Sequence, residues 1–200
     1  MIESTQITPY THKSIQYPIG YMYGMEYDKT AKNIADFFIG GDVIVEVNYP
    51  GKLFQLYIDK NKTEISTNEI WYKEWPEYIK QMLLSSIEGE HNNGSIFIGI
   101  AVGYHDINIV DDLDDAITLK PFMLDCIMYN GKNMIYDSIT IRKSFVSASF
   151  RDYKSYYATC KGFEDFNRLM PYTTKRNFIF KKANSKYIEG ECSDWLLYEI

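Results

Sequence analysis

Four carboxylates, Asp111, Asp112, Asp114 and Asp115, crowd one short stretch, DDLDD. Oxygen ligands of this kind suit a hard divalent cation. Glu189 and Glu191 form an E-x-E pair, which in a strand puts two further carboxylates on one face. The DDLDD stretch lacks the DxDxDG order and the closing glutamate of an EF-hand loop. A solvated acidic loop is therefore the plainer reading, with Asp111, Asp112, Glu189 and Glu191 as the metal candidates. His105-Asp106 follows an apolar run, where a general base would be well displayed. No GxSxG, Cys-His signature or HExxH accompanies it. His105 and Asp106 are the catalytic candidates, set against an ordinary strand-end histidine.

The opposite charge gathers near the end of the sequence. Arg168, Lys175, Arg176, Lys181, Lys182 and Lys186 form a run of six bases with no acid among them. Tyr172, Phe178 and Phe180 are interleaved, and charge plus ring stacking is how single-stranded nucleic acid or phosphate is held. The competing reading is an edge strand guarded by lysines. The IGGD at 39–42 is not a phosphate loop: it has neither the GxGxxG nor the GxxxxGK[ST] spacing, and it follows a helical pattern.

One further constellation is Leu124, Asp125, Asn130, Gly131 and Arg142: a strand ending in Asp, an Asn-Gly turn and a downstream Arg. It resembles one motif of the covalent nucleotidyltransferases and ligases, over residues 124–142. The nucleophilic lysine of that family lies in K-x-D-G, which occurs nowhere in the chain. The resemblance therefore implies no lysyl-nucleotide chemistry here.

The element expected to organise the fold is the hairpin around Asn130-Gly131. Both central residues of a type I′ turn need positive φ, and Asn-Gly tolerates it. The turn sets Tyr129 opposite Lys132, and a long hairpin then sets Cys126 opposite Ile135 and Phe122 opposite Ile139. Phe122, Leu124, Cys126, Met128, Ile135, Ile139 and Ile141 become its core face. Residues 1–16 lack periodicity and read as an irregular arm. Apolar spacing predicts helices over 30–39, from Pro76 to about Gly89, and over 163–170. Strands are expected over 42–49, 53–59, 95–102, 144–150, 177–182 and 195–200, with a polar turn at 61–67. The sum is an α+β fold: an antiparallel or mixed sheet of about 8–10 strands with three short helices packed on it, forming a single domain over 1–200.

Composition narrows the function classes. The 200 residues are 46% hydrophobic and 24% charged, as in an ordinary globular chain, and contain 18 Tyr. Lys outnumbers Arg 17 to 4 and Ile outnumbers Leu 25 to 10, the mark of an AT-rich genome. Three cysteines without CxxC argue against a disulfide framework or a zinc ribbon, and Cys126 reads as a core thiol. No signal peptide or membrane span is evident, so a cytoplasmic location is expected. No cofactor is implied.

The net charge of −6 weighs against nucleic acid as a partner. Between Glu69 and Asp115, ten acids, Glu88 and Glu90 among them, face only Lys73 and Lys80. The reading favoured is a small protein-binding module, an immunity-type toxin inhibitor or a viral or phage inhibitor of a host factor. Asp111, Asp112, Asp114, Asp115, Glu88 and Glu90 would steer a basic protein partner, with Trp71, Tyr72 and Trp75 as anchors. A metal-dependent hydrolase or nuclease, and a nucleotide- or nucleic-acid-binding protein using the basic run, are the alternatives.

Overall fold

The computed structural model describes residues 10–12, 15–17, 22–26, 34–67, 75–111, 113–169 and 177–199. In chain order the strands are β1 (Tyr10–His12), β2 (Ile15–Tyr17), β3 (Met22–Glu26), β4 (Val43–Val47), β5 (Lys52–Ile58), β6 (Thr63–Ser66), β7 (Ser95–His105), β8 (Asn108–Val110), β9 (Thr118–Tyr129), β10 (Lys132–Asn133), β11 (Tyr157–Cys160), β12 (Asn177–Lys182) and β13 (Gly190–Glu199). The helices are α1 (Trp75–Leu84), α2 (Ile139–Ser149) and α3 (Phe163–Leu169). The fold is α+β, with antiparallel sheets and three α-helices, as expected.

Two sheets make the body. One runs β10-β9-β7-β5-β6, with β8 on the end of β7; the other runs β11-β4-β12-β13-β3. Among the described strands all pairings are antiparallel except β13 with β3. Strand β7 is central and buried from Ser95 through Gly103, matching its continuous apolar run. The two sheets meet across Ile44, Ile96, Ile98, Ile127 and Trp195. The outer face of the first sheet is covered by α1 and α2 through Ile79, Leu83, Val146 and Phe150. The outer face of the second is covered by α3 and the 3-10 turn Ile34–Phe38, which stands where a full helix over 30–39 was expected.

The Asn-Gly hairpin is real but short. Tyr129 does face Lys132, and Asn130 and Gly131 take φ of 47° and 82°. After Asn133 the chain leaves the sheet, so the pairings of Cys126 with Ile135 and Phe122 with Ile139 do not form. Residues 139–149 are helix α2, which also replaces the strand expected over 144–150. Ser138 caps α2, its hydroxyl accepting from the Ile141 N–H at 3.4 Å. The expected core face also changes. Phe122 and Leu124 are only partly buried, and Ile141 is exposed. Two register shifts in the β7–β9 pairing flank Asp125 and Cys126, so residues 125–128 are buried in succession. The polar turn at 61–67 contains β6, and β1 pairs with β2 inside the stretch expected to be irregular.

The free edge of β9 is partly closed by the chain itself. Tyr153, at φ 61°, lets its carbonyl accept from Met123 N–H at 2.7 Å, while Ser155 N–H donates to Met123 O at 3.1 Å.

Gly99 on β7 lies opposite Phe54 on β5, and a Cβ there would sit 2.3 Å from the Phe54 ring. Gly99→Ala is expected to cost about 1–3 kcal/mol by overpacking, read as a lower urea midpoint. The cost should shrink in a Phe54→Leu background, because the two changes share one contact.

Candidate functional site

The inner face of the second sheet carries charge where an apolar core would be ordinary. Strand β4, VIVEV, turns Val43 and Val45 toward the α3 side and Ile44 and Glu46 toward the first sheet. On β12, Ile179 lies opposite Glu46, which brings Lys181 onto the same face one step along the diagonal. Glu46, at 3% exposure, takes an ammonium on each oxygen: Lys143 of α2 on Oε1 and Lys181 on Oε2. Ser155 Oγ donates to the same Oε1 at 2.8 Å. Lys143 Nζ also donates to Leu124 O at 2.9 Å and to Ser155 Oγ at 3.2 Å. Burial alone would raise the Glu46 carboxyl, but the two lysines outweigh it and hold it at about 2. Burial pushes the Lys181 ammonium down from its ordinary value; Glu46 opposes this and Lys143 adds to it. Lys181 lies opposite Trp195 on β13 and stands 4.0 Å from the centre of its ring.

A second buried pair adjoins the first. Arg142 of α2 grips Asp125 with two parallel bonds, Nε to Oδ1 at 2.8 Å and Nη2 to Oδ2 at 3.1 Å. Its Nη1 donates to Asp137 O at 2.6 Å and Ser185 O at 3.2 Å. Asp125 and Arg142, the two charged residues of the nucleotidyltransferase-like constellation, are thus in direct contact.

Part of this network borders a cleft of about 260 Å³ between the sheets. Glu46, Asp125 and Lys181 supply its polar wall. Leu53, Ile98, Ile100, Ile179 and Leu197 supply the apolar one, with the rings of Tyr49, Tyr187 and Trp195 at its sides. Tyr49 stacks flat on Phe122 at 4.8 Å, and Trp195 is fixed by its Nε1 donating to Ser185 Oγ at 3.1 Å.

Beyond the constellation that contains Leu124 and Asp125, the residues singled out by sequence fall elsewhere, with one exception. His105 and Asp106 sit exposed in the β7–β8 turn, with Asp106 at φ 56°, and pair with each other at 3.3 Å. Glu88 and Glu90 lie at the Ser95 end of β7, where His91 bridges Glu88 O and Ser95 Oγ. The Leu113–Asp115 turn packs on Gly103 at the other end. At about 3.3 Å per residue, some 26 Å separates the two groups of acids, so they form no single patch. Asp111, Asp115, Glu189 and Glu191 are exposed. Among the described residues no three His, Cys, Asp or Glu side chains gather where they could hold a metal. Trp75 opens α1, partly buried. Trp71, Tyr72, Asp112, Lys175, Arg176 and the side chain of Asp114 lie outside the described residues.

Within the basic run, Arg168 pairs with Asp165 at 3.6 Å, Lys186 is exposed, and Lys182 donates to Phe37 O and Ile39 O. Lys181 is the exception, the basic-run candidate that borders the cleft. The edge-strand reading of this run fails, because β12 lies inside its sheet between β4 and β13. Sequence reasoning missed Glu46 and Lys143. The available signal was a carboxylate at an inward position of an otherwise apolar strand.

The Glu46 carboxyl carries a stability consequence. Its folded value is depressed from 4.5 to about 2, so its contribution is complete above pH 4.5 and is lost as pH falls toward 2. Urea midpoints of the wild type should drop through that window, and those of Glu46→Gln should drop less. Arg142→Met should cost about 3–5 kcal/mol, since Asp125 is left buried and unpaired; a change within 1 kcal/mol would count against the pair as drawn.

No protein-family model matches the chain, and no curated protein sequence does. Solved structures do. The ligase domain of M. tuberculosis LigD aligns with a TM-score of 0.67 at 11% identity, over 90% of this chain and 59% of that one. The ATP-dependent DNA ligase of bacteriophage T7, in complex with ATP, gives 0.56 at 10% identity, over 90% and 68%. The Chlorella virus DNA ligase-adenylate gives 0.57 at 9%, over 89% and 67%. The chain spans about three-fifths of the length of the first of these. These likenesses overturn the expectation of an inhibitor or immunity protein, which rested on a single acidic patch that the described residues do not form. They also overturn the exclusion of nucleic acid as a partner, which rested on net charge alone. Among the described residues no helix is long and apolar enough to cross a membrane. Over the aligned residues the chain shares its fold with these ligase structures.

Proposed function

We propose that the chain binds a nucleoside-bearing ligand in the cleft between its sheets, and does so without forming a covalent adduct. The observation that carries this reading is the cleft itself: a volume of about 260 Å³ with aromatic sides, apolar walls and a few convergent polar groups. Planar heterocycles suit such a space, because Tyr49 and Trp195 offer ring faces and the buried charges offer orientation. The fold likeness supports it, since two of the similar ligase structures are complexes with ATP.

The covalent step is a different matter. A nucleophilic lysine must present a free amine to the α-phosphorus. Among the described residues the lysine bordering the cleft is Lys181, and its ammonium is held by Glu46, a carboxyl too acidic to take its proton. The K-x-D-G lysine is missing from the sequence.

The test pairs calorimetry with labelling. Adenosine should bind saturably, and protein incubated with ATP labelled at the α-phosphate and magnesium, then denatured, should retain no label. Label retained through denaturation would overturn the non-covalent reading. Failure of both adenosine and ATP to bind at millimolar concentration would overturn the cleft assignment altogether.

A further inference from the structure

We propose that His91 is a proton-operated latch: in its neutral form it fastens the Asn130-Gly131 turn to the start of β7, and taking up a proton releases that turn. The inference goes beyond ligand binding and does not depend on what the cleft holds.

The turn docks on residues 93–95. Gly131 N–H donates to Gly94 O at 2.6 Å, Asn93 N–H to Asn130 Oδ1 at 2.8 Å, and Asn130 N–H to Ser95 Oγ at 2.8 Å. The last of these continues inward. Ser95 Oγ lies 2.8 Å from Nδ1 of His91, whose Nε2 lies 3.2 Å from Glu88 O. His91 and Ser95 are both buried.

The partners fix the direction of each bond. A carbonyl oxygen only accepts, so Nε2 carries the hydrogen and Nδ1 is left as an acceptor. Ser95 Oγ therefore donates to Nδ1 while accepting from Asn130. Among the described residues Ser95 Oγ has no third partner. A proton on Nδ1 would set two donors face to face. Turning the hydroxyl away would leave its hydrogen unpaired and shielded from water. The chain of bonds is complete only with a neutral ring.

The surroundings offer an imidazolium little compensation. The ring stands nearly perpendicular to Phe97 of β7 and Tyr129 of β9, at 5.8 and 5.6 Å, and Phe145 of α2 packs on Tyr129 at 4.5 Å. On its own segment Glu88 and Glu90 are exposed, and the Glu90 carboxylate accepts from Asn92 Nδ2 at 3.0 Å. From β10, Lys132 pairs with Asp137 at 3.4 Å. Beyond α2, Arg151 pairs with Asp152 at 3.0 Å and donates to Ser85 O at 3.2 Å. On β5, Tyr57 donates to Asp59 at 3.0 Å. Burial pushes the His91 imidazole down from its ordinary 6.5, against the Glu88 carbonyl, which raises it. The latch is therefore fully formed above pH 6.5 and weakens as pH falls below that value. Glu46 responds only below pH 4.5, so the two windows are separate.

The test is NMR on the intact chain. Long-range proton–nitrogen correlation of the His91 ring should show Nε2 protonated and Nδ1 bare at about pH 7.5, with a titration midpoint below the ordinary histidine value. Amide exchange, corrected for its intrinsic pH dependence, reads the latch. Between about pH 7.5 and about pH 5, protection at Asn130 and Gly131 should fall about 10–30-fold, the ratio set by an open form that titrates normally. Protection at Phe180, on the inner strand β12, should hold. In His91→Gln, which takes up no proton, protection at the two turn amides should be flat over the same window. A ring protonated on Nδ1 at the upper pH, a midpoint at or above the ordinary value, or unchanging wild-type protection would each overturn the inference. So would an equal fall at Phe180, which would make the proton act on the whole fold, or a fall that persists in His91→Gln. The wild-type readings decide alone if that variant does not fold.

Discussion

The carboxylate of Glu46, shared by two lysines from different parts of the chain, is the constraint around which the rest of the structure is arranged. Lys181 comes from the neighbouring strand of the same sheet, and Lys143 comes from helix α2, which packs against the other sheet. The one side chain therefore fixes β4, β12 and α2 together. Helix α2 reaches the first sheet through the adjacent Arg142, which holds Asp125 on β9. Two successive residues of one helical turn pin both sheets. Buried pairs of this kind seldom exceed a well-packed apolar core in net stability. Their effect is geometric: every other placement of α2 would strand a charge away from water.

That arrangement explains which elements were legible in the sequence. Strand β7 announces itself by an unbroken apolar run, and the Asn130-Gly131 turn by backbone chemistry. Both depend on neighbours in the chain. Helix α2 does not: its inward face holds Arg142 and Lys143 beside Ile139 and Val146, so its apolar periodicity is broken at the positions that matter most. Its Ile residues at 139 and 141 instead mimic the alternation of a strand. The partners that make a charged inward face tolerable lie 17 and 97 residues away, and Lys181 lies 135 residues from Glu46. No local pattern encodes pairs at that separation. The motif resemblance did pick out Asp125 and Arg142, because both lie within one short constellation.

Net charge was the poorer guide. Among the described residues, Glu88 and Glu90 lie at one end of β7 and Asp106, Asp111 and Asp115 at the other, all of them exposed. The charges bordering the cleft are few, buried and close. A summed charge describes long-range steering and solubility, whereas recognition in a closed space depends on which donors and acceptors remain unmet once the protein has satisfied its own.

The segment 153–155 has a consequence of another kind. Beyond its two-residue pairing with β10, the outer margin of the twelve-residue strand β9 has no strand neighbour among the described residues. Such a margin is a template on which a foreign strand can polymerise. Tyr153 and Ser155 occupy the amide and carbonyl of Met123 near its middle, and Tyr153 adopts an uncommon backbone geometry to do so. A foreign strand approaching that margin would therefore meet Met123 with its amide and carbonyl already engaged.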